Sequence, residues 1–307
     1  MGKYFMFVAA ILFLYLTVKQ AISAPPQDTT QIRSYIQKGN SLRSSNPDSA
    51  LLFFRKAMET APQSHQKIRA QIHQDLGTYF RSQSQFDSAN HHFKEALTIF
   101  QIEKDSWGIA KSVNNIGTIH FFKGNYKQAL ESYQKAIRLF EQVNFTKGIA
   151  DCNNNIGIIH WKQKNYDLAQ EYYKKAGNAY KKLGNKRMQA YIYNNLGVIY
   201  GDQEKYKESL TYYDKTIAIS NELGLKQVSK SSYQNMGIAY KNLGEFKKAS
   251  DYYHKSLSLA KQLGDKNIIA SNYVNLSELY KTMADSIAPN KKEKNLYLKR
   301  AIEYGEH

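Results

Sequence analysis

Cysteine is almost absent from this sequence, since Cys152 is the single one among 307 residues. An internal disulfide is therefore excluded, and the folded chain must draw its stability from packing. Cys152 lies inside a helical pattern, where we expect a small, buried, hydrophobic side chain. A reactive or dimer-forming thiol is the alternative.

The sequence also lacks the motifs that carry most enzyme chemistry. It contains no glycine-rich phosphate loop, no cysteine or histidine set at zinc spacing and no nucleophile motif. His91 and His92 are neighbours in one predicted helix, so they lie on adjacent faces and we interpret them as surface residues. We predict no catalytic residue, no metal ligand and no cofactor.

One long hydrophobic run is present, from Tyr4 to Val18. It is shorter than the roughly 20 residues that a bilayer span needs, and it is typical of the apolar core of a secretory signal peptide. We expect a signal peptide over 1–23, a linker over 24–31 and an exported protein. The alternative is an uncleaved segment that anchors the protein to the inner membrane.

The dominant feature of the sequence is an internal repeat. The tetrapeptides "NNIG", "NNIG", "NNLG" and "QNMG" end at Gly117, Gly157, Gly197 and Gly237, which follow one another at intervals of 40 residues, and Gly77 precedes them by the same interval. A repeat of this length is typical of a solenoid.

Other residue types recur at fixed offsets from the repeat glycine. Small residues stand 12 and 19 positions after it and aromatic residues 16 positions after it, so the offsets differ by four, three and seven residues, as on one face of a helix. The aromatic set is Phe93, Tyr133, Tyr173, Tyr213 and Tyr253. Gly184, Gly224 and Gly264 stand where a second helix should end. Each repeat is thus predicted to be a hairpin of helix A, which carries the tetrapeptide, and helix B.

This pattern of glycine, alanine and aromatic residues resembles the tetratricopeptide repeat, in a long 40-residue form similar to that of bacterial sensor and signalling proteins. The resemblance implies an all-α, right-handed α-solenoid of about six antiparallel helix pairs. We predict a degenerate first repeat over 32–66, full repeats over 67–106, 107–146, 147–186, 187–226 and 227–266, and an atypical or truncated terminal repeat over 267–307, which is a seventh helix pair if the first is counted.

The resemblance also implies that helices A line a concave groove. With the repeat glycine counted as position eight, positions five and six face that groove. Position five, here called ladder five, carries Asn114, Asn154, Asn194 and Gln234; position six, here called ladder six, carries Asn115, Asn155, Asn195, Asn235 and Asn275. Amide side chains offer two donors and an acceptor, which match the main chain of an extended peptide. The alternative is that these amides bridge neighbouring repeats.

Each asparagine inside a helix costs about 0.5 kcal/mol relative to alanine. Because the sequence repeats this unfavourable residue, helix propensity favours a binding role for the asparagines. Three aromatic residues at groove positions, Phe121, Trp161 and Tyr191, are expected to form a specificity pocket or to pack against the next repeat. Lys111 is a further groove residue.

The formal net charge of +17 does not concentrate in the predicted groove. Five basic groove residues face four acidic ones: Arg81, Lys111, Lys162, Lys241 and Lys281 against Asp75, Asp151, Asp202 and Glu278. A nucleic-acid groove would be strongly basic, so we expect no nucleic-acid partner. The outer charge is expected to be solvated, with peripheral membrane contact as the alternative.

We therefore expect a non-catalytic module, exported to the bacterial periplasm or cell envelope, that binds an extended peptide or protein segment. The first alternative is the sensor region of a signal-transduction protein, a histidine kinase or helix-turn-helix regulator, whose effector follows residue 307. The second is a scaffold of an envelope complex. Because no polar capping helix follows "AIEYGEH", self-association through the C-terminal end is also expected.

Overall fold

The computed structural model describes residues 29–286, 288 and 290–306. The expected signal peptide lies outside these residues. The chain divides into a first unit, Met1–Lys104, and a second unit, Asp105–His307. Fourteen α-helices and no strands occur in the described part of the chain, and none of these helices is long and apolar enough to cross a membrane.

The first unit contains four helices and the second unit ten. The first unit has α1 (Thr30–Leu42), α2 (Pro47–Thr60), α3 (Gln66–Ser82) and α4 (Phe86–Ile102). The second unit has α5 (Ser106–Phe122), α6 (Tyr126–Gln142), α7 (Thr146–Lys162), α8 (Tyr166–Lys182), α9 (Lys186–Asp202), α10 (Tyr206–Leu223), α11 (Lys226–Asn242), α12 (Phe246–Leu263), α13 (Lys266–Ser286) and α14 (Lys291–Gly305).

Odd-numbered helices are helices A and even-numbered helices are helices B. Within each unit every helix A packs against the helix B that follows it, and every helix B packs against the next helix A. In the second unit, α5 also contacts α7, α9 contacts α11 and α11 contacts α13. A hydrogen bond from Trp161 to Asp202 joins α7 to α9, so successive helices A lie side by side. These contacts confirm the predicted all-α solenoid of helix hairpins.

The repeat glycine is required because the aromatic ring of helix B lies directly on it. A Cβ at Gly197 would lie 2.5 Å from Cε1 of Tyr213, and a Cβ at Gly237 would lie 2.5 Å from Cε1 of Tyr253. Both tyrosines are almost fully buried. The glycine and the aromatic residue 16 positions later therefore form one packing unit, which explains their common period.

From the turn after α3 to the turn after α12, each turn places one residue in the left-handed region of backbone conformation. Gly184, Gly224 and Gly264 end helices B with φ of 65°, 64° and 67°, which confirms the predicted helix ends. Lys164 and Glu204 adopt φ of 60° in turns between helix A and helix B. The left-handed conformation in these turns is thus kept even where the residue is not glycine.

Candidate functional site

Ladder five lies within the second unit, and most of its side chains connect neighbouring repeats. The hydroxyl of Ser232 donates a hydrogen bond of 2.9 Å to Oδ1 of Asn194, and the thiol of Cys152 donates one of 3.2 Å to Oδ1 of Asn114. Nε2 of Gln234 donates a 2.6 Å hydrogen bond to Oγ of Ser271. In each case the two residues belong to successive helices A, so these amides hold one repeat against the next.

Cys152 is fully buried, as predicted. Burial raises the pKa of its thiol, which therefore stays protonated and acts as a donor. A thiol in this state is a poor nucleophile, so the structure favours the packing role over the reactive one.

Asn154 is the exception in ladder five. The helix after it carries Ile192 at the place that Cys152 and Ser232 occupy in their repeats, so no side-chain donor faces Asn154 there. Its Nδ2 instead lies 3.5 Å from Oδ1 of Asn155, the neighbouring residue of ladder six. Asn154 is half-buried.

Ladder six is half-buried along its whole length. The side chains of Asn195 and Asn275 form no hydrogen bond with any described residue. Asn155 uses its Oδ1 for Asn154, and Asn235 hydrogen-bonds the hydroxyl of Tyr213. The amide groups of Asn195 and Asn275, donor and acceptor alike, thus remain available on the helix A face.

The three predicted pocket aromatics differ in their surroundings. Trp161 is half-buried against the core that includes Tyr173 and Leu196, and its indole N–H donates a 2.6 Å hydrogen bond to Oδ2 of Asp202 in the next helix A. Tyr191 is 39% exposed. The structure therefore gives Trp161 a packing role between repeats, whereas Tyr191 presents its ring to solvent.

Phe121 lies with its ring centroid 5.4 Å from that of Phe122 and 5.9 Å from that of Tyr126. Phe122 is 52% exposed, so this small aromatic group has an accessible edge. Lys111 holds its ammonium 5.0 Å from the ring centroid of Trp107, a cation–π contact at the start of the same helix. The two ends of α5 thus carry different kinds of accessible group.

Several charged residues of the helix A face are paired. Lys241 lies 3.3 Å from Glu278, and Lys147 lies 2.8 Å from Asp151. Asp151 also accepts a 2.6 Å hydrogen bond from the hydroxyl of Tyr180, whose pKa is raised by burial and by that bond. The paired charges agree with the near-neutral groove that the sequence predicts.

Sequence reasoning missed two polar pairs. Lys230 is almost fully buried and forms a salt bridge with Asp265, whose pKa is lowered chiefly by the hydrogen bond from Lys230. In the first unit, Nδ1 of His73 lies 2.9 Å from Nδ1 of His92. Burial lowers the pKa of both rings to about 4. His92 is therefore half-buried and paired, contrary to its interpretation as a surface residue, because its helix turns it toward α3.

The chain belongs to the tetratricopeptide repeat family. The family model matches residues 108–182, 148–222 and 188–262, which together span just over half of the chain. A search of curated protein sequences gives no match.

Solved structures with the same fold include two Rap proteins and a signal transduction ATPase that has a tetratricopeptide repeat sensor. The apo form of RapI has a TM-score of 0.65 and 17% identity, over 90% of this chain and 97% of that chain. The Rap conjugation gene regulator of plasmid pLS20, in complex with the Phr* peptide, has a TM-score of 0.62 and 16% identity, over 89% and 73%.

A signal transduction ATPase with numerous domains from Pyrococcus horikoshii, which has a tetratricopeptide repeat sensor, has a TM-score of 0.74 and 15% identity. The match covers 91% of this chain and 42% of that chain, so this chain spans less than half of that protein. Together, the family match and the helix hairpins make the chain a tetratricopeptide-repeat interaction module.

Proposed function

We propose that the helix A face of the second unit binds an extended peptide or protein segment, with ladder six as the main contact. The observation that carries the proposal is the difference between two adjacent asparagines. Oδ1 of Asn194 is occupied by Ser232, whereas the amide of Asn195 has no hydrogen-bond partner among the described residues. A half-buried amide without a partner is costly unless a ligand or water satisfies it.

The spacing of ladder six suits a main-chain ligand. Its members recur once per repeat on helices that contact one another in sequence, so they form a row of similar donors and acceptors. Main-chain groups also recur regularly along an extended peptide. Because each amide contacts backbone atoms, this row supplies affinity with little dependence on the guest sequence, and Tyr191 and Phe122 supply selectivity at exposed positions.

The experiment is a selection of linear peptides by the full chain from a display library, followed by titration of one recovered peptide. We expect the double variant Asn155→Ala and Asn195→Ala to bind at least about tenfold more weakly than the wild type, as two hydrogen bonds are lost. Asn178→Ala is the matched control, because Asn178 is an exposed asparagine of helix B. Equal affinity of the folded double variant and the wild type would reject the proposal.

A second candidate function is ligand sensing within a longer signal-transduction protein. It is favoured by the similar folds of a protein with a tetratricopeptide repeat sensor and of a Rap regulator solved with a peptide. Sequencing the gene beyond the codon for His307 tests it. An apolar span of about 20 residues followed by a kinase or DNA-binding pattern supports sensing, and an immediate stop codon rejects it.

Export to the cell envelope is part of the same proposal, and it rests on the hydrophobic run from Tyr4 to Val18. Fractionation of cells that produce the full chain tests it. Shortened protein in the periplasmic fraction supports export with cleavage, full-length protein in the membrane fraction supports the anchored alternative, and full-length protein in the cytosol rejects both.

A further inference from the structure

A second polar feature of the second unit lies away from both ladders. A cavity of about 420 Å³, open to solvent, lies between the end of α10, the start of α11 and the middle of α12. Two lysines, Lys226 and Lys255, and two buried serines, Ser220 and Ser229, contribute to its lining. This volume is within the range of small-molecule sites.

The repeat pattern explains why the cavity opens at this place. Ser220 stands 23 positions after its repeat glycine, where the two preceding repeats carry Phe140 and Tyr180. Both rings are buried at that position, with 3% and 0% of their surface exposed. Neither Ser220 nor Ala260, at the same position of the following repeat, has a ring, and the space beside Ser220 is lined by polar groups.

The hydroxyl of Ser220 is the strongest sign that something binds there. Its Oγ is buried and has no hydrogen-bond partner among the described residues, and the whole residue is only 1% exposed. Buried polar atoms are almost always hydrogen-bonded, because leaving one unpaired costs about 1–3 kcal/mol. Ser220 is one of the lining residues, so rotation of its side chain toward the cavity would let an acceptor atom of a bound ligand satisfy this hydroxyl.

The charge of the cavity is positive. The ammonium of Lys255 lies 4.6 Å from the ring centroid of Tyr252 and 5.8 Å from that of Tyr233, and that of Lys226 lies 3.5 Å from Oε1 of the neutral Gln262. Neither lysine has a salt-bridge partner, and no carboxylate is among the described residues that line the cavity. Both lysines are exposed at the rim of the cavity, and two ammonium groups without a carboxylate partner beside serine hydroxyls favour an anion.

The donor types select among anions. An arginine fork matches a planar carboxylate, and the lining has none, whereas separate ammonium and hydroxyl donors suit a tetrahedral oxyanion. The cavity is larger than a phosphate ion, and Tyr233 with Leu259 gives it an apolar wall. We propose that this cavity binds a small organic phosphate monoester. The site is separate from ladder six, so the proposal of phosphate binding does not depend on the proposal of peptide binding.

Calorimetric titration of the full chain with phenyl phosphate and with inorganic phosphate tests the proposal. Saturable binding of both, with the higher affinity for phenyl phosphate, is the expected result, because the ring of the ester can lie against Tyr233. Absence of saturable binding at millimolar phenyl phosphate would overturn the site. Equal affinity for the two compounds would overturn the assignment of an organic monoester.

Variants locate the binding. Lys226→Gln and Lys255→Gln should each weaken phenyl phosphate binding about tenfold, and Ser220→Phe, which restores the ring of the preceding repeats, should abolish it. Lys215→Gln is the matched control. Lys215 lies 5.0 Å from the ring centroid of Tyr212, a contact equivalent to that of Lys255 with Tyr252. In the repeat of Lys215, however, the place of Ser220 is taken by the buried ring of Tyr180 from the preceding helix B. Equal losses for Lys215→Gln and Lys255→Gln would contradict the proposal, and this comparison does not depend on the folding of Ser220→Phe.

Discussion

The hydroxyl of Ser232 and the amide oxygen of Asn194 are joined by a 2.9 Å hydrogen bond across two successive helices A. Ser232 is fully buried, so this bond satisfies a group that has little access to water. Asn195, the next residue in the sequence, has no such partner among the described residues. Two adjacent asparagines of one tetrapeptide therefore have different surroundings, and their substitutions should have different consequences.

Replacement of Asn194 by alanine should lower the free energy of unfolding by about 1–2 kcal/mol, because it leaves the Ser232 hydroxyl buried without its acceptor. Replacement of Asn195 by alanine should leave stability unchanged or raise it by about 0.5 kcal/mol, since alanine is the better helix former. Urea unfolding of both variants measures the difference. Equal destabilisation by the two changes would contradict the division of roles between the ladders.

Gly197→Ala should destabilise the protein by about 1–3 kcal/mol, because the added methyl group would lie 2.5 Å from the Tyr213 ring and the ring cannot move without disturbing the core. Gly201 is a control in the same helix, since a Cβ there would meet Oγ of Ser209 at an ordinary 3.5 Å. Gly201→Ala should be neutral or stabilising by up to about 1 kcal/mol. Thermal unfolding monitored by circular dichroism compares the two variants, and a tolerated alanine at 197 would refute the packing argument.

The His73–His92 pair should make stability depend on pH. Burial is the main cause that lowers both pKa values from 6.5 to about 4, so the unfolded chain binds protons first as the pH falls. The free energy of unfolding should therefore decrease between pH 6.5 and about 4, by about 2 kcal/mol in total once partial exposure and coupling are considered, and the pair should add no further change below that.

Urea unfolding at pH 7.5, 5.5 and 4.5 measures this dependence. The double variant His73→Gln and His92→Gln should show a flatter profile than the wild type. His91→Gln should change the profile much less than the double variant does, because His91 is exposed and is only a minor cause of the two lowered pKa values. Parallel profiles for the wild type and the double variant would exclude the pair as the source.

Trp161 and Asp202 should be energetically coupled. Trp161→Phe keeps an aromatic ring but removes the N–H that donates to the Asp202 carboxylate, so we expect a loss of about 1 kcal/mol. Asp202→Ala should cost a similar amount, and the double variant should cost less than the sum of the two changes by about 1 kcal/mol. Strict additivity would show that the 2.6 Å contact contributes nothing to stability.

The fold was predictable from the sequence because its determinants repeat. The glycine of helix A and the ring of helix B form a contact inside one hairpin, so both carry the same 40-residue period, and the offsets between them are helical spacings. Gly224 and Gly264 likewise mark the ends of their helices, because the left-handed conformation at these ends is more favourable for glycine than for other residues.

The roles of the asparagines were less predictable, because each depends on a residue of the neighbouring repeat that has no period. Ladder five finds Cys152, Ser232 and Ser271 across the interface, but Asn154 meets Ile192. A single small polar residue in the next helix thus decides whether an amide is used internally. The partner of each amide is visible in the sequence as a small polar residue 37 or 38 positions later, but only the packing of successive helices A shows that the two residues are in contact.

The same reasoning applies to the two features outside the ladders. Replacement of an aromatic residue by Ser220 breaks a periodic position and is visible in the sequence, yet the lysines beside it come from two other helices. His73 and His92 have no repeat equivalents of the same type, so their pairing follows only from the three-dimensional arrangement of α3 and α4.

The central claim is that ladder six contacts the main chain of a bound segment, and N-methylation of a peptide tests it most directly. A peptide recovered by selection is synthesised with and without methyl groups on alternate backbone amides, and its affinity is measured for the wild type and for the Asn155→Ala, Asn195→Ala double variant. We predict that methylation weakens binding to the wild type by about tenfold and to the double variant by less than about twofold. Equal losses for both proteins would contradict the claim.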